Sequence, residues 1–436
     1  MEAAHSAAQE KPSLWHNKDF MFLWSGQTVS NFGSVVTQLA IPLAAVELVK
    51  ASTLQIGILS AIATLPFLLV SLPAGAIVDR MTKHKLMMWC DIGRMVLVGS
   101  IPLVTFPGLG LHVTYVHLLV VALLSGILTV FFDVSSQSYL PVLLNKDELI
   151  DGNSKLGTTA SVAHFAGPSI GGALIGLLGA ARAIAIDAFS YAVSALSLAL
   201  IRKPEPAPEP RAEGRKLRHE IAEGLNFVLK HPILRKVIAA TATSNFSSSI
   251  FTAMSMVFLV RILHVEPGYV GLIWSLSAIG GMIGGILAGR LSKRFGSARI
   301  IWIAPLILGF PMLLQPLAQP GWGVLLYAAG YFFFSLYAIV YNVAAISYRQ
   351  AITPPEMLGR MTASFRFIVW GTLPIGAAIG GVLGAQLGVR ETIWIGVIGT
   401  WLSGVWVLFS PLRKMRDFSA WSEDEDGEPA QAEPAR

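Results

Sequence analysis

Four places in this chain set an ionisable side chain inside a long apolar run: Asp91 with Arg94, Asp133, His164 and Asp187. A charge at the centre of a bilayer costs about 2.5–3.5 kcal/mol on insertion scales, so each of these groups needs a partner or a purpose. The chemistry open to them is the binding and release of a proton. Asp91 and Arg94 stand three apart and can pair on one helical face, which reads as a structural ion pair. Asp133 could serve as a proton site or as the partner of a cation. His164, three residues from Ser161 and four before Pro168, titrates near physiological pH when unperturbed, although a hydrogen-bonded packing histidine is the commoner case. Asp187 has Ser190 close enough for a local hydrogen bond, and a structural role is favoured there too. The candidates for proton coupling are Asp133, His164 and Asp187.

Uncharged polar residues form a second pattern. Gln27, Asn31, Ser34 and Gln38 follow one another at spacings of 4, 3 and 4, which puts all four on one face of a helix. Thr241, Asn245, Ser248 and Thr252 repeat those spacings far along the chain. Unpaired amides and hydroxyls in hydrocarbon cost several kcal/mol each, so both stripes should face a central, partly wet cavity. Interhelical hydrogen bonding without solute contact is the competing reading. Tyr327, Tyr331 and Tyr341, with Phe332, Phe333 and Phe334 between them, would add an aromatic wall suited to an amphipathic or aromatic solute, although such residues as often only pack. With Asn342 and Trp370, the expected cavity set is Gln27, Asn31, Ser34, Gln38, Asn245, Ser248, Tyr331, Asn342 and Trp370.

These residues must be positioned by membrane-spanning elements. Of the 436 residues 54% are hydrophobic and 13% charged, and the mean hydropathy is +0.62. That is too little polar surface to cover a water-soluble globule. The net charge of +6 does not point to nucleic acid, because the basic residues are scattered between apolar runs and form no continuous stripe. Cys90 is the only cysteine, so neither a disulfide framework nor a cysteine-based metal site can form. A hydrocarbon core of about 30 Å needs about 20 apolar residues per helix. Twelve runs qualify, beginning near Phe20, Leu54, Leu86, Val113, Ser154, Arg182, Lys236, Gly268, Ala298, Gly323, Met361 and Glu391. They lack strict alternation, so helices are favoured over an outer-membrane barrel. With the N-terminus cytoplasmic, 27 of the 32 Lys and Arg fall inside, Lys50, Arg182, Arg261 and Arg390 fall outside, and Arg94 lies within a helix. The positive-inside rule therefore places both tails in the cytoplasm.

The chain divides into an N-terminal bundle of six spans (1–201), a linker (202–232), a second bundle (233–412) and an acidic tail (413–436) that composition marks as disordered. The linker opens with the Pro-rich KPEPAPEP, and Leu217, Ile221, Leu225 and Val228 then recur at helical spacing. That pattern fits an amphipathic helix on the inner leaflet or a solvated connecting helix. The bundles resemble each other. Asp133-Val-Ser-Ser-Gln-Ser-Tyr139 matches Asn342-Val-Ala-Ala-Ile-Ser-Tyr348 at a displacement of 209, and Gly75-Ala-Ile-Val-Asp-Arg80 matches Gly285-Ile-Leu-Ala-Gly-Arg290 at 210. A duplicated six-helix unit follows, of the kind that rocks about a midplane site.

GAIVDRMTKHK (Gly75 to Lys85) resembles the loop 2–3 signature of the major facilitator superfamily, with Thr82 where that family usually has a second glycine. Phe131 to Leu156, Ala185 to Leu196 and Asn342 to Phe367, in that order and spacing, resemble the third drug:proton antiporter subfamily, which includes macrolide efflux pumps and the enterobactin exporter. Gly167-Pro-Ser-Ile-Gly-Gly172 resembles the core of the superfamily's antiporter signature, without its upstream glycines. The resemblance implies an all-α membrane protein with twelve transmembrane helices in two pseudo-symmetric six-helix bundles. It also implies a gate in which Asp79 meets the positive N-terminal end of the eleventh helix while Arg80 or Lys83 pairs with Asp133, latching the halves on the cytoplasmic side in the outward-open state. Gly289 replaces the aspartate in the second half, so that latch should be weaker or absent.

No phosphate-binding loop or soluble ATPase domain is present, so the expected energy source is an ion gradient without cofactor or metal. No clustered nucleophile and base suggests an enzyme. Helix 1 lacks the central acid that many proton-coupled exporters carry. Arg366 could bind an anionic group of a solute or anchor at the interface. The expected function is a secondary active exporter of small amphipathic compounds, monomeric, in the inner membrane, with small molecules, protons and lipid as its partners. Proton-coupled uptake of a small metabolite is the alternative, and a non-transporting receptor or scaffold a more distant one.

Overall fold

The computed structural model describes residues 14–78, 80–106, 112–145, 148–206, 225–353 and 358–417. Among these residues eleven helices are long and apolar enough to cross a membrane. The twelfth crossing is assembled from two pieces, Thr53–Leu69 and Ser71–Val78. The first half comprises α1 (Lys18–Glu47), α2 (those two pieces), α3 (Lys83–Val104), α4 (Tyr115–Leu143), α5 (Leu149–Leu178) and α6 (Ala180–Ala199). The second comprises α7 (Leu234–Val257), α8 (Pro267–Phe295), α9 (beginning at Ile300–Ile303), α10 (Val324–Ile352), α11 (Leu358–Gln386) and α12 (Val389–Leu402).

Local chemistry starts these helices where the sequence supplies a cap. The Asn17 side chain accepts from Phe20 N at 3.1 Å, Ser52 and Gln55 form a capping box on α2, and Thr114 accepts from His117 N at 3.2 Å; each satisfies backbone donors that a helix start leaves open. Gly179 and Gly388, 209 positions apart, turn α5 into α6 and α11 into α12 at φ of 82° and 106°. Left-handed backbone of this kind favours glycine, so the duplication extends to backbone conformation.

The packing repeats as well. In the first half α1 lies against α5 and α6, α3 against α4 and α6, and α2 against α4. In the second, α7 lies against α11 and α12, α9 against α10 and α12, and α8 against α10. Each pair recurs six helices later.

α9 departs from a regular helix. After Ile303 it passes through a π-helical turn (Ala304–Leu308) and a 3₁₀ stretch (Phe310–Leu317). Pro305, Pro311 and Pro316 remove backbone donors and clash with the preceding turn, which breaks the α ladder. α12 supplies replacement donors: Trp401 Nε1 donates to Leu306 O at 2.9 Å and Arg390 Nη1 to Pro316 O at 2.5 Å. Irregular backbone at this depth requires such protein partners.

Of the linker, residues 202–206 and the stretch from Leu225 onward are described; Leu217 and Ile221 of the expected amphipathic helix lie outside the described residues. Val228 is fully buried in the same core as Leu234 and Val237 of α7, so this end of the linker packs into the second half. His231 caps α7, its Nδ1 accepting from Ile233 N at 3.3 Å and Leu234 N at 3.2 Å. Burial holds that imidazole below its ordinary pKa, and the neutral ring is the form that can accept.

Candidate functional site

The halves meet along α2–α11 and α5–α8. The face that carries the start of α1 and the end of α12 is called the terminal face below. The closest approaches are at the opposite end. A Cβ on Gly57 would strike the backbone of Gly381, and one on Gly271 the carbonyl of Pro168 and the backbone of Gly172. Only glycine permits helix backbones to approach so closely. Ser169 Oγ donates to Ser275 Oγ at 2.7 Å, and Arg261 Nη2 to Ala51 O at 2.7 Å, across the same seam. Toward the terminal face the helices diverge. Gly157 of α5 and Gly289 of α8 look onto open space, with nothing within 4 Å of an added Cβ. The halves therefore enclose a cleft that is sealed at one end and open toward the terminal face.

The expected cavity residues divide between exposed ones and ones held in hydrogen bonds. Gln38 and Thr252, equivalent positions on α1 and α7, are both exposed, as are Asp133 and Asn342, equivalent positions on α4 and α10. His164 is exposed on α5 in register with Ser154, Gly157 and Ser161, which form a small and polar face over nearly three turns. Gln27 is half-buried and donates to Ser136 Oγ of α4 at 2.5 Å, Ser34 and Tyr191 of α6 share a hydrogen bond of 3.0 Å, and Asn31 is half-buried between them. On the other side Asn245 donates to Val369 O at 3.3 Å, and Ser248 to Asn245 O at 3.1 Å. Interhelical hydrogen bonding thus accounts for Gln27, Ser34 and Asn245, and Gln38 and Thr252 are left exposed.

The aromatic face of α10 is mostly packing. Tyr327 and Tyr341 are buried. Tyr327 meets Phe258, Phe334 meets Phe251, and the Tyr341 and Thr241 hydroxyls share a hydrogen bond of 2.6 Å. Tyr331, stacked on Phe334 at 5.8 Å, keeps partial exposure. Trp370 sits where the halves join, edge-on to Phe67 of α2 at 5.9 Å, and carries the exposed Arg366 guanidinium 4.7 Å above its ring.

Of the expected gate, Asp79 lies outside the described residues and Arg80 is exposed. Lys83 is paired with Glu205 and not with Asp133: its Nζ lies 3.5 Å from the Glu205 carboxylate, which also accepts from the backbone N–H of Lys83 and His84 at 2.9 and 3.0 Å. Thr82 makes no side-chain cap on α3, so an anion from the start of the linker occupies that helix N-terminus, where donors and dipole favour it. Arg202 N donates to Asp19 and Lys203 Nζ to Leu143 O, which pins this strap to the first half. Glu205 went unnoticed in the sequence because 122 positions separate it from Lys83 and its surroundings are Pro-rich.

Behind α1 the structure gathers charges that sequence spacing had treated separately. Asp91 and Arg94 form a buried ion pair. The Arg94 guanidinium lies between the rings of Phe132 at 4.3 Å and Tyr191 at 4.4 Å and acts electrostatically on Asp133 and Asp187 as well. Asp187 is fully buried, accepts from Ser190 Oγ at 3.0 Å and abuts Gly33 of α1, whose added Cβ would meet its Oδ1 at 2.6 Å. The role of Arg94 as the shared cation was invisible in the sequence, since it depends on α3, α4 and α6 meeting.

Two bundles of six helices related by internal repetition, with a polar cleft between them, define a secondary-transporter architecture. The chain belongs to the transmembrane secretion effector family of major facilitator transporters, whose model matches residues 13–434. It is 24% identical over 379 residues to the multidrug efflux pump Tap of Mycolicibacterium fortuitum, covering 85% of this chain and 90% of that one. It is 20% identical over 407 residues to macrolide efflux protein A of Streptococcus pyogenes, covering 93% and 98%. Among solved structures, a bacterial homologue of the iron transporter ferroportin in its inward-facing state superposes with a TM-score of 0.73 at 14% identity, covering 89% of this chain and 98% of that one. The fold is thus the major facilitator fold, and the chain is a transporter and not an enzyme.

Proposed function

We propose that the protein exports small amphipathic compounds, drug-like or siderophore-like, from the cytoplasm across a bacterial inner membrane, by alternating access coupled to an inward proton flow. The observation that carries this reading is the cleft itself, sealed by glycine backbone contacts at one end and bordered by helices on which Gln38, Asp133, His164, Asn342 and Arg366 are exposed. The terminal face is the cytoplasmic one on the positive-inside count, so the cleft would take its solute from the cytoplasm. The mixture of charges, amides and the half-exposed Tyr331 suits solutes with a polar group on an aromatic or alicyclic body. Relatives named for multidrug and macrolide efflux support export. The gradient serves as the energy source with no cofactor, and a monomer suffices because the repeat supplies both halves of the cleft.

The test is reconstitution of oriented protein in liposomes with an imposed pH gradient, following ethidium and a labelled macrolide. Compounds should leave the side facing the terminal face as protons enter it. Flux unchanged when the gradient is collapsed would defeat proton coupling, and accumulation in the same direction as the protons would turn the reading into uptake.

A further inference from the structure

The buried cluster on α3 and α6 does not balance its charge. Asp91, Arg94 and Asp187 are 0%, 3% and 0% exposed, which gives two carboxyls and one cation within hydrocarbon. Arg94 is committed to Asp91 by a direct ion pair. Asp187 has no cation in contact; its Oδ1 accepts from the Ser190 hydroxyl, and its other neighbours are the neutral hydroxyls of Thr37 and Tyr191. An ionised carboxylate in that setting costs several kcal/mol, and the usual resolution is to take up a proton. No group of three or more His, Cys, Asp or Glu able to hold a metal occurs among the described residues, so a proton fits the site better than a metal cation.

The site also has a route to the cleft. The neighbouring residue Tyr191 faces Arg94 with its ring and shares a hydrogen bond with Ser34, a member of the α1 stripe one position from Gly33, which backs directly onto Asp187. The titratable or charged groups that act on Asp187 are Arg94 on α3 and Tyr191 on α6, and Cys90 and Asp91 on α3 and Asp133 on α4 surround Arg94 in turn. α1 brings only Gly33, Ser34 and Thr37. On α5, His164 lies 15 residues before the Gly179 turn and Asp187 8 after it, so the two differ in depth by about 10 Å at 1.5 Å per residue.

We propose that Asp187 holds the exchangeable proton that drives transport, passed to and from the cleft through Tyr191 and Ser34, while Arg94 neutralises Asp91 permanently. The step is a proton transfer alone: the Asp187 O–H bond breaks, the proton moves along the hydroxyls to cleft water, and the carboxylate then draws on the field of Arg94. The sequence favours a structural role for Asp187 beside Ser190 while keeping it among the proton-coupling candidates; the structure adds the surrounding groups and the path. This inference rests on the proton-coupled reading above, but its first test does not need a solute.

At about pH 7 ordinary carboxyls are ionised, so infrared spectra of the purified protein should show a protonated carboxyl band from a buried group. The band should fade reversibly as pH is raised, disappear in Asp187→Asn, return in Asp187→Glu and persist in Asp133→Asn. In Tyr191→Phe its exchange into heavy water should slow at least tenfold. Absence of the band in the wild type, or its survival in Asp187→Asn, would overturn the proposal. In liposomes, Asp187→Asn should lose gradient-driven ethidium accumulation at least tenfold while keeping equilibrium exchange within about threefold; equal loss of both would assign Asp187 a structural role. If wild-type protein moves no ethidium, the export reading fails, and the infrared band still decides where the proton resides.

Discussion

The two halves repeat each other helix for helix, yet they resolve the same close contact in opposite ways. In the first half the glycine is on the inner helix: Gly33 of α1 faces Asp187 and Ser190 of α6. In the second, the positions equivalent to Asp187 and Ser190 are Gly396 and Gly399 of α12, and it is α7 that brings the bulk, with Ser247 and Phe251 against them. The charged triplet Asp91, Arg94 and Asp187 accordingly has no counterpart: the residues one repeat later are Ile300, Ile303 and Gly396, and every fully buried charged residue among those described belongs to the first half. Where the first half stores ions behind its inner helix, the second fills the space with Tyr327, Phe334, Tyr337 and Tyr341. Duplication supplied the scaffold of both halves; divergence gave one of them titratable chemistry and the other rigid packing.

The largest effect expected from this contrast is at Arg94. Arg94→Met strands the buried Asp91 and should cost about 3–5 kcal/mol, the scale for breaking a buried pair, whereas Ile303→Met one repeat later should cost less than about 1.5 kcal/mol as a volume-conserving apolar change. Thermal unfolding in detergent compares them, and equal losses would erase the distinction. The swapped glycines come next. Gly33→Ser and Ser190→Gly should each destabilise, the first by about 1–3 kcal/mol through overpacking. Together they install the arrangement of the second half, so the double variant should recover at least about 1 kcal/mol relative to the sum. Strict additivity would mean that the contact is not the one described.

Smaller effects belong to the helix caps, one in each half. Glu205→Gln should cost about 0.5–2 kcal/mol and loosen the strap that holds Lys83, read as faster proteolysis of the linker. His231 caps α7 as a neutral ring with its pKa lowered by burial. Between the lowered folded value and the ordinary value of about 6.5, the unfolded chain binds more protons. Stability should therefore fall as pH drops through about 6.5, and His231→Asn should flatten that slope. A slope of the opposite sign would contradict the cap.

Much of the architecture was legible in the sequence because a bilayer imposes a simple code: twelve apolar runs, a displacement near 209, and polar stripes of matching period. The stripes singled out helices whose polar residues the structure leaves exposed or hydrogen-bonded, as an amide or hydroxyl in hydrocarbon must find water or a partner. The sequence could not show which residue found which. Gln38 and Thr252 stay exposed while Gln27 and Asn245 are drawn into bonds with α4 and α11, a choice made by helix separation and not by spacing. The irregular α9 had its signal in Pro305, Pro311 and Pro316, which an apolar count overlooks. Partners distant in sequence, such as Glu205 for Lys83 and Arg94 for three acids on three helices, emerge only from tertiary contact. Asp79, the expected gate residue, lies outside the described residues.

The central claim is a cleft between rocking halves that opens to one face at a time, and paired distance measurements test it most directly. Spin labels at Gly157→Cys and Gly289→Cys report the mouth on the terminal face, and labels at Leu48→Cys and Tyr269→Cys report the opposite end of the two halves; buried Cys90 remains unlabelled. Across pH steps and on addition of ethidium, the account predicts that the first distance shortens as the second lengthens. Two distances that stay fixed, or that rise and fall together, would contradict it.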